Sequence, residues 1–187
     1  MKVTSIVAAL GFAATLAAAP VMAVENLVQF QGGIGVIPVS SGVVPQGTQP
    51  LTSEAVNRNF VRGVPPPGQI WVIADLRADV KVDGRIRVDG RGLLLGGGDN
   101  VGGNGGQSVF ATLICEVTPV TNPRTFTLHS TDSNDVADGN QGVPLEANGD
   151  FRINDVLSPT PPDPCVNPVL LIRNPGGAWF AAGIPRL

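Results

Sequence analysis

The chain has 187 residues, which is enough for one domain with a buried core, and it carries a formal net charge of −3. Charged residues make up only 14% of it, against about 25% in ordinary globular proteins. Because a mildly acidic protein does not attract nucleic acid or anionic lipid, we expect neither as a partner. Gly (24) and Pro (17) are abundant among recurrent apolar runs, a pattern that favours many short strands joined by tight turns.

Residues 1–23 have the features of a secretory signal peptide. Lys2 provides a positive start, residues 6–19 are apolar and uncharged, and small residues end at a cleavage site after Ala23. The apolar stretch is shorter than the roughly 20 residues of a spanning helix, and no later segment is long and apolar enough to cross a bilayer. We therefore expect a secreted or periplasmic mature protein of residues 24–187. An uncleaved N-terminal anchor is the alternative.

Cys115 and Cys165 are the only cysteines, and in an exported protein an even pair indicates a disulfide. Closing a loop of this length restricts the unfolded chain and is expected to stabilise the fold by about 4 kcal/mol. Two free thiols or one metal site are the alternatives. A metal site is disfavoured because His129 is the only histidine and no other cysteine is present to complete a set of ligands.

The N-terminal part of the mature chain is predicted to begin with a strand and to continue irregularly. The strand lies within residues 27–39 and is bent or split at a bulge that contains Gly32. Residues 40–68 are an irregular segment rich in Pro and Gly, in which residues 52–60 are predicted to form a short helix. No second domain boundary and no long repeat appear, so residues 24–187 are predicted to form a single β domain.

Residues 70–82 and 85–95 are predicted to form a long hairpin. Val82, Asp83 and Gly84 can make a three-residue loop with Gly84 in the left-handed conformation. This register gives one apolar face and one solvated face, and the solvated face carries three opposite-charge pairs. The facing residues are Val80 and Ile86, Ala78 and Val88, Asp79 and Arg87, Arg77 and Asp89, and Asp75 and Arg91.

The C-terminal half continues the alternation of strands and turns. Residues 147–149 and 174–177 are predicted hairpin turns, and the first of them would place Val143 opposite Ile153. Roughly nine or ten strands, with no helices for parallel crossovers, favour a single antiparallel β-sandwich. A closed β-barrel is the alternative.

Two loops carry candidate ligand-binding residues. The glycine-rich residues 96–106 superficially match a phosphate-binding loop, but strands flank them and no Lys is near, so we interpret them as a mobile loop at the rim of the sandwich. Asp132, Asn134, Asp135 and Asp138 supply the oxygen atoms that Ca²⁺ prefers, although their spacing does not match an EF-hand. A solvated turn is the ordinary interpretation of that segment and a weak Ca²⁺ site is the alternative. No other cofactor is expected.

Three further side chains are candidates for function. His129 could act as a general base oriented by Asp132 or Asp135, but no nucleophile motif accompanies it. A surface histidine at the end of a strand is the ordinary alternative. Trp71 and Trp179 could stack on sugars if they were exposed, although their apolar neighbours favour a place in the core.

No constellation of acid, base and nucleophile stands out in the sequence. The leading hypothesis is therefore a non-enzymatic exported β domain that acts in binding or as a surface or matrix component. The alternative is a secreted hydrolase that uses His129 with the acidic cluster of Asp132, Asp135 and Asp138. The enzyme hypothesis requires His129 to share a concave pocket with at least two of those carboxylates.

Overall fold

The computed structural model describes residues 24–36, 39–40, 56–57, 59–119, 124–131 and 142–186. Within these ranges the chain forms β-strands and no helix. The strands are β1 (Asn26–Gly35), β2 (Val39–Ser40), β3 (Val56–Asn57), β4 (Trp71–Val72), β5 (Asp75–Lys81), β6 (Arg85–Arg91), β7 (Leu94–Leu95), β8 (Ser108–Glu116), β9 (Phe126–Ser130), β10 (Val143–Pro144), β11 (Phe151–Val156), β12 (Val166–Arg173) and β13 (Trp179–Pro185). The predicted signal peptide lies outside the described residues.

One curled antiparallel sheet contains most of these strands, in the order β10, β8, β12, β13, β1, β5, β6, β11, and β9 also pairs with β8. The ends of this sheet approach each other. Ser130 at the end of β9 bridges Ser158 just beyond β11, and a tight turn at Gly149 links β10 to β11. Strands β2 and β3 form one small sheet, and β4 and β7 form another. The prediction of an all-β antiparallel domain is confirmed.

Alternation along the strands produces the core inside the curled sheet. In β5 and β6 every second residue is buried, and β8 is buried along its whole length apart from its first residue. Gly90 in β6 has no room for a side chain, because the ring of Phe151 on the neighbouring strand β11 occupies that space. Each fully buried aliphatic or aromatic side chain contributes about 1.5–3 kcal/mol, so this core is the main source of stability.

The hairpin predicted around Gly84 is confirmed in register. All the predicted cross-strand partners, including Asp79 and Arg87, face each other. Gly84 has a φ of +86°, the left-handed conformation that glycine adopts without strain at this loop position. The two predicted strands are each interrupted, however, so that β4 and β7 form a separate ladder in which Trp71 lies opposite Leu95.

Two predictions of local structure are wrong. The helix predicted over residues 52–60 is wrong, because Val56–Asn57, at the centre of that range, forms a strand that pairs with β2. Val143 does not lie opposite Ile153: Val143 pairs with β8, whereas Ile153 pairs with β6. The tight turn at Gly149 forms as predicted, but the strands on its two sides diverge, and β11 gains a longer ladder with β6 than β10 could offer it.

The predicted disulfide between Cys115 and Cys165 is confirmed, with an S–S distance of 2.00 Å. It joins the buried end of β8 to the residue before β12, where Val166 pairs with Glu116. The bond therefore reinforces the β8–β12 ladder and closes a loop that contains β9, β10 and β11. A structural disulfide is consistent with an oxidising extracellular compartment.

Candidate functional site

The solvated face of the main sheet carries two rows of polar side chains that cross four strands. The first row consists of Gln29, Asp79, Arg87 and Asn154, on β1, β5, β6 and β11 respectively. The second row consists of Gln31, Arg77, Asp89 and Arg152 on the same strands. Neighbouring strands lie about 4.8 Å apart, so each row spans about 14 Å. We call this surface, together with the adjacent Asp75, Lys81, Arg85 and Arg91, the polar platform.

Two shallow hollows lie on the polar platform. One, with a volume of about 560 Å³, lies beside Asp89 and Arg152. The other, of about 480 Å³, lies beside Asp79, Arg87 and Asn154. Charged and amide side chains line most of both hollows, in contrast to the apolar pockets that hold most small molecules. An extended polar ligand therefore fits the polar platform better than a compact apolar one.

Ion pairs hold several arginines of the polar platform in place. The Nε atom of Arg87 lies 3.1 Å from Oδ2 of Asp89, and Nε of Arg152 lies 2.6 Å from Oδ1 of the same carboxylate. Arg77 pairs with Asp75 at 3.3 Å, two residues away on β5. These contacts run along a strand or between β6 and β11. The predicted register of the hairpin is right. The ion pairs, however, join residues of the same strand or residues of β6 and β11, instead of the predicted cross-strand partners on β5 and β6.

The two arginines beside Asp89 lower the pKa of its carboxyl group. The hydrogen bond from Arg152 is the largest cause, partial burial opposes it, and the hydrogen bond and charge of Arg87 add to it. The carboxylate therefore stays ionised at neutral pH and orients both guanidinium groups. Because the contacts to Asp89 use the Nε atoms, the terminal nitrogens of each fork can face a ligand.

His129 lies inside the fold, so the expectation of a surface histidine is wrong. The residue is only 3% exposed and lies opposite the buried Leu113. Its Nδ1 atom is 2.7 Å from the carbonyl oxygen of Pro159, which can only accept, so Nδ1 carries a proton. Its Nε2 atom is 2.9 Å from Oγ1 of Thr127. Both nitrogens are therefore engaged, and the ring connects β9 to the segment that follows β11.

A buried carboxylate lies beside the disulfide. Glu116 has a fully buried side chain, whose Oε2 accepts a hydrogen bond of 2.6 Å from Asn167 and whose Oε1 lies 3.2 Å from Nε of Arg124. Arg62 lies over the ring of Phe126 and donates to backbone carbonyls of β8 and β12. Burial lowers the pKa of Arg62, and the charge of Glu116 opposes that effect. Glu116 Oε1 accepts no hydrogen bond, so the ion pair with Arg124 is the contact that balances its charge. Because Arg124 and Asn167 hold the carboxylate between β8, β9 and β12, we interpret this cluster as a structural connection.

The two tryptophans pack in the core, as their apolar neighbours indicate. Trp71 is 3% exposed and stacks on Phe180, with ring centroids 4.1 Å apart. Trp179 is 2% exposed, and its indole N–H donates to the carbonyl of Asn59 at 2.9 Å. Neither ring offers a free face on which a sugar could stack.

The glycine-rich residues 96–106 cover the edge of β7. Leu95 donates a backbone hydrogen bond to Gly103 and accepts one from Gly102. Asn104 donates from its side chain to the carbonyls of Leu145 and Glu146, which ties the loop to the turn after β10. These contacts give the loop a structural part in the fold and fix its position against two neighbouring segments.

The calcium site remains a prediction. Its candidate ligands Asp132, Asn134, Asp135 and Asp138 lie outside the described residues, as do the carboxylates proposed to assist His129. In the part of the chain that the structure describes, no group of three or more His, Cys, Asp or Glu side chains is arranged to hold a metal ion.

Half of the polar platform is recognisable in the sequence, but only as a solvated face of the β5–β6 hairpin. The hairpin register places Arg77, Asp79, Arg87 and Asp89 together, because it depends on a local turn. The additional polar residues of β1 and β11 come beside them through contacts between distant segments, which the sequence pattern does not specify. One signal is nevertheless present: six of the 12 basic residues of the chain lie in β5, β6 and β11.

Comparison of the chain with protein-family models, with curated proteins and with solved structures found no match. Over the described ranges, no helix has the length and apolar character that crossing a bilayer requires.

Proposed function

We propose that the chain is an exported, non-enzymatic binding domain and that the polar platform is its binding face. The observation that carries this proposal is the pair of polar rows across four strands, with two adjoining hollows. Charged side chains on a sheet are ordinarily only a solvated surface. Here the ionised carboxylate of Asp89 holds the guanidinium groups of Arg87 and Arg152 in place beside amide side chains. Such a preorganised arrangement lowers the entropic cost of binding a polar ligand.

Export is supported by the N-terminal sequence and by the disulfide. Lys2, the apolar residues 6–19 and the cleavage site after Ala23 match a signal peptide. Intact-mass measurement of protein recovered outside the cytoplasm should give a chain that begins at Val24. A soluble exported protein that still carries Met1 would contradict this part of the proposal.

A non-enzymatic role is favoured by the place of His129. A general base needs a nitrogen that can reach a substrate proton, and both ring nitrogens of His129 make contacts inside the fold. We therefore expect the protein to bind a polymer without cleaving it. Release of new reducing ends from a bound polysaccharide would contradict this expectation.

The binding face can be tested without knowing the charge of the ligand. Affinity electrophoresis through gels that contain dextran, polygalacturonate or single-stranded DNA measures retardation by each polymer. Asn154→Trp places a bulky side chain at the smaller hollow without changing the net charge, whereas Asn100→Trp places the same side chain on the exposed glycine-rich loop.

We expect at least one polymer to retard the unmodified protein and the Asn100→Trp variant, but not the Asn154→Trp variant. Retardation by none of the polymers would contradict the proposed function. So would equal retardation of the two variants, because binding would then lie outside the polar platform.

A further inference from the structure

We propose that the ligand of the polar platform is an uncharged polysaccharide, held through the hydroxyl groups of its sugars. This inference rests on the proposed function and names the class of ligand. It follows from three features of the polar platform: the balance of its charges, the adjacency of hydrogen-bond acceptors and donors along its first row, and the wholly polar composition of both rows.

Positive and negative side chains balance at the polar platform and its border. Asp83 pairs with Arg85 at 2.8 Å, and Glu146 and Asp150 line the larger hollow. The basic side chains of this surface are Arg77, Lys81, Arg85, Arg87, Arg91 and Arg152, and the acidic ones are Asp75, Asp79, Asp83, Asp89, Glu146 and Asp150. A surface whose charges cancel has no field of one sign with which to attract a polyanion or a polycation, so it favours an uncharged ligand.

The first row places hydrogen-bond acceptors directly beside donors. Gln29 donates through its amide nitrogen to Oδ1 of Asp79, which leaves Oδ2 of that carboxylate able to accept. Arg87 lies opposite Asp79 on β6, and because its Nε atom pairs with Asp89, its terminal nitrogens are the donors that can reach a ligand. The amide of Asn154, next along the row, can both donate and accept. A hydroxyl group also does both, so sugar hydroxyls match this succession of groups.

The polar composition of the rows disfavours the other classes of macromolecule. Single-stranded nucleic acid gains much of its affinity from aromatic stacking, and the centres of protein interfaces are enriched in aromatic residues and depleted of charged ones. Both rows consist only of amide, carboxylate and guanidinium side chains. A polysaccharide can bind such a surface through hydrogen bonds alone, because a row of about 14 Å contacts more than one sugar unit.

The closing experiment asks whether an uncharged polymer binds and whether acidic and basic members of the row contribute alike. The apparent Kd for dextran, polygalacturonate and single-stranded DNA is obtained from retardation in affinity gels of increasing polymer content. Asp79→Asn removes a negative charge from the first row, and Arg87→Gln removes a positive one. Asp99→Asn and Asn100→Asp make the same two changes of charge on the exposed glycine-rich loop and serve as matched controls.

We expect dextran to bind the unmodified protein more tightly than the two charged polymers do. Asp79→Asn and Arg87→Gln should each weaken the binding of dextran at least about threefold, because each replaces a hydrogen bond to a charged group by a weaker one to a neutral amide. The two control variants should bind dextran as the unmodified protein does.

Two results would overturn this inference and leave the proposed function intact. One is tighter binding of polygalacturonate or single-stranded DNA than of dextran, lost in Asn154→Trp. The other is binding of dextran that Asn154→Trp abolishes but that Asp79→Asn or Arg87→Gln leaves unchanged or tightens. Retardation by none of the three polymers would instead contradict the proposed function itself.

Discussion

Reduction of the bond between Cys115 and Cys165 is expected to remove a large part of the stability of the domain. The two cysteines are separated by 50 residues in the chain. For a loop of that length, loop-closure entropy predicts a loss of about 4 kcal/mol from the free energy of unfolding. Domains of this kind have total stabilities of about 5–15 kcal/mol, so the reduced protein should be markedly less stable.

The measurement is urea denaturation followed by tryptophan fluorescence, with and without a reductant. Both Trp71 and Trp179 are buried in the folded protein, so their emission should change on unfolding. The midpoint should fall on reduction and the m-value should rise, because the reduced unfolded chain exposes more surface. A variant with Cys115→Ala and Cys165→Ala controls for other effects of the reductant and should not respond to it.

A change below about 1 kcal/mol on complete reduction would refute this reasoning. It would mean that the unfolded chain is already compact around the β8–β12 ladder, or that the bond strains the fold by nearly as much as it restricts the unfolded state. The m-value separates these cases, because it stays unchanged on reduction only if the unfolded chain is already compact without the bond.

Three further predictions concern the hairpin, the platform carboxylate and calcium. Gly84→Val should cost about 1–3 kcal/mol in urea denaturation through backbone strain at positive φ, whereas Asp79→Ala should cost about 0.5–1.5 kcal/mol, because it removes the hydrogen bond that Gln29 donates to Asp79; the reverse order would contradict the turn assignment. The lowered pKa of Asp89 stabilises the fold above the unfolded pKa, and this stabilisation is lost as the pH falls through the folded pKa. Arg152→Ala should therefore raise the pKa of Asp89 in a carboxyl-carbon NMR titration, and an unchanged pKa would show that the ion pair is not formed in solution. If residues 132–138 bind Ca²⁺, millimolar Ca²⁺ should raise the Tm, and an identical Tm in chelator would favour a plain turn.

Local turn chemistry explains which parts of the fold the sequence predicts. The β5–β6 register follows from a three-residue loop that ends at Gly84, and the β12–β13 hairpin follows from the turn at residues 174–177. The bulge in β1 likewise follows from Gly32, which has a φ of +93°. In each case the deciding interactions lie within a few residues of one another in the chain.

Predictions fail where distant segments compete for a strand. The turn at Gly149 would join its flanking strands in isolation, but β6 and β8 draw them to opposite ends of the curled sheet. The residues next to His129 in the sequence predict that its side chain is exposed to solvent. Its hydrogen-bond partner Pro159, however, lies 30 residues further along the chain. Polar residues that become buried through such contacts look, in a sequence, like any polar residue at the end of a strand.

The polar platform is likewise assembled from segments that are distant in the chain. The charges of one hairpin face are visible in the sequence, whereas a continuous row requires β1 and β11 to flank that hairpin. Gln29 and Asn154 lie far from Arg87 in the chain and show no periodic pattern that would link them to it. A surface assembled from three separate segments is therefore found only once the sheet order is known.

The most direct test of the central claim is the position of the bound ligand. Amide chemical-shift changes in ¹⁵N-labelled protein, recorded while a short form of a polymer that retards the protein in affinity gels is added, report which strands the ligand contacts. We predict that the largest changes lie along the rows of Gln29, Asp79, Arg87 and Asn154, with little change at residues 96–106. Changes concentrated around those glycines, or around His129, would contradict the assignment of the polar platform as the binding face.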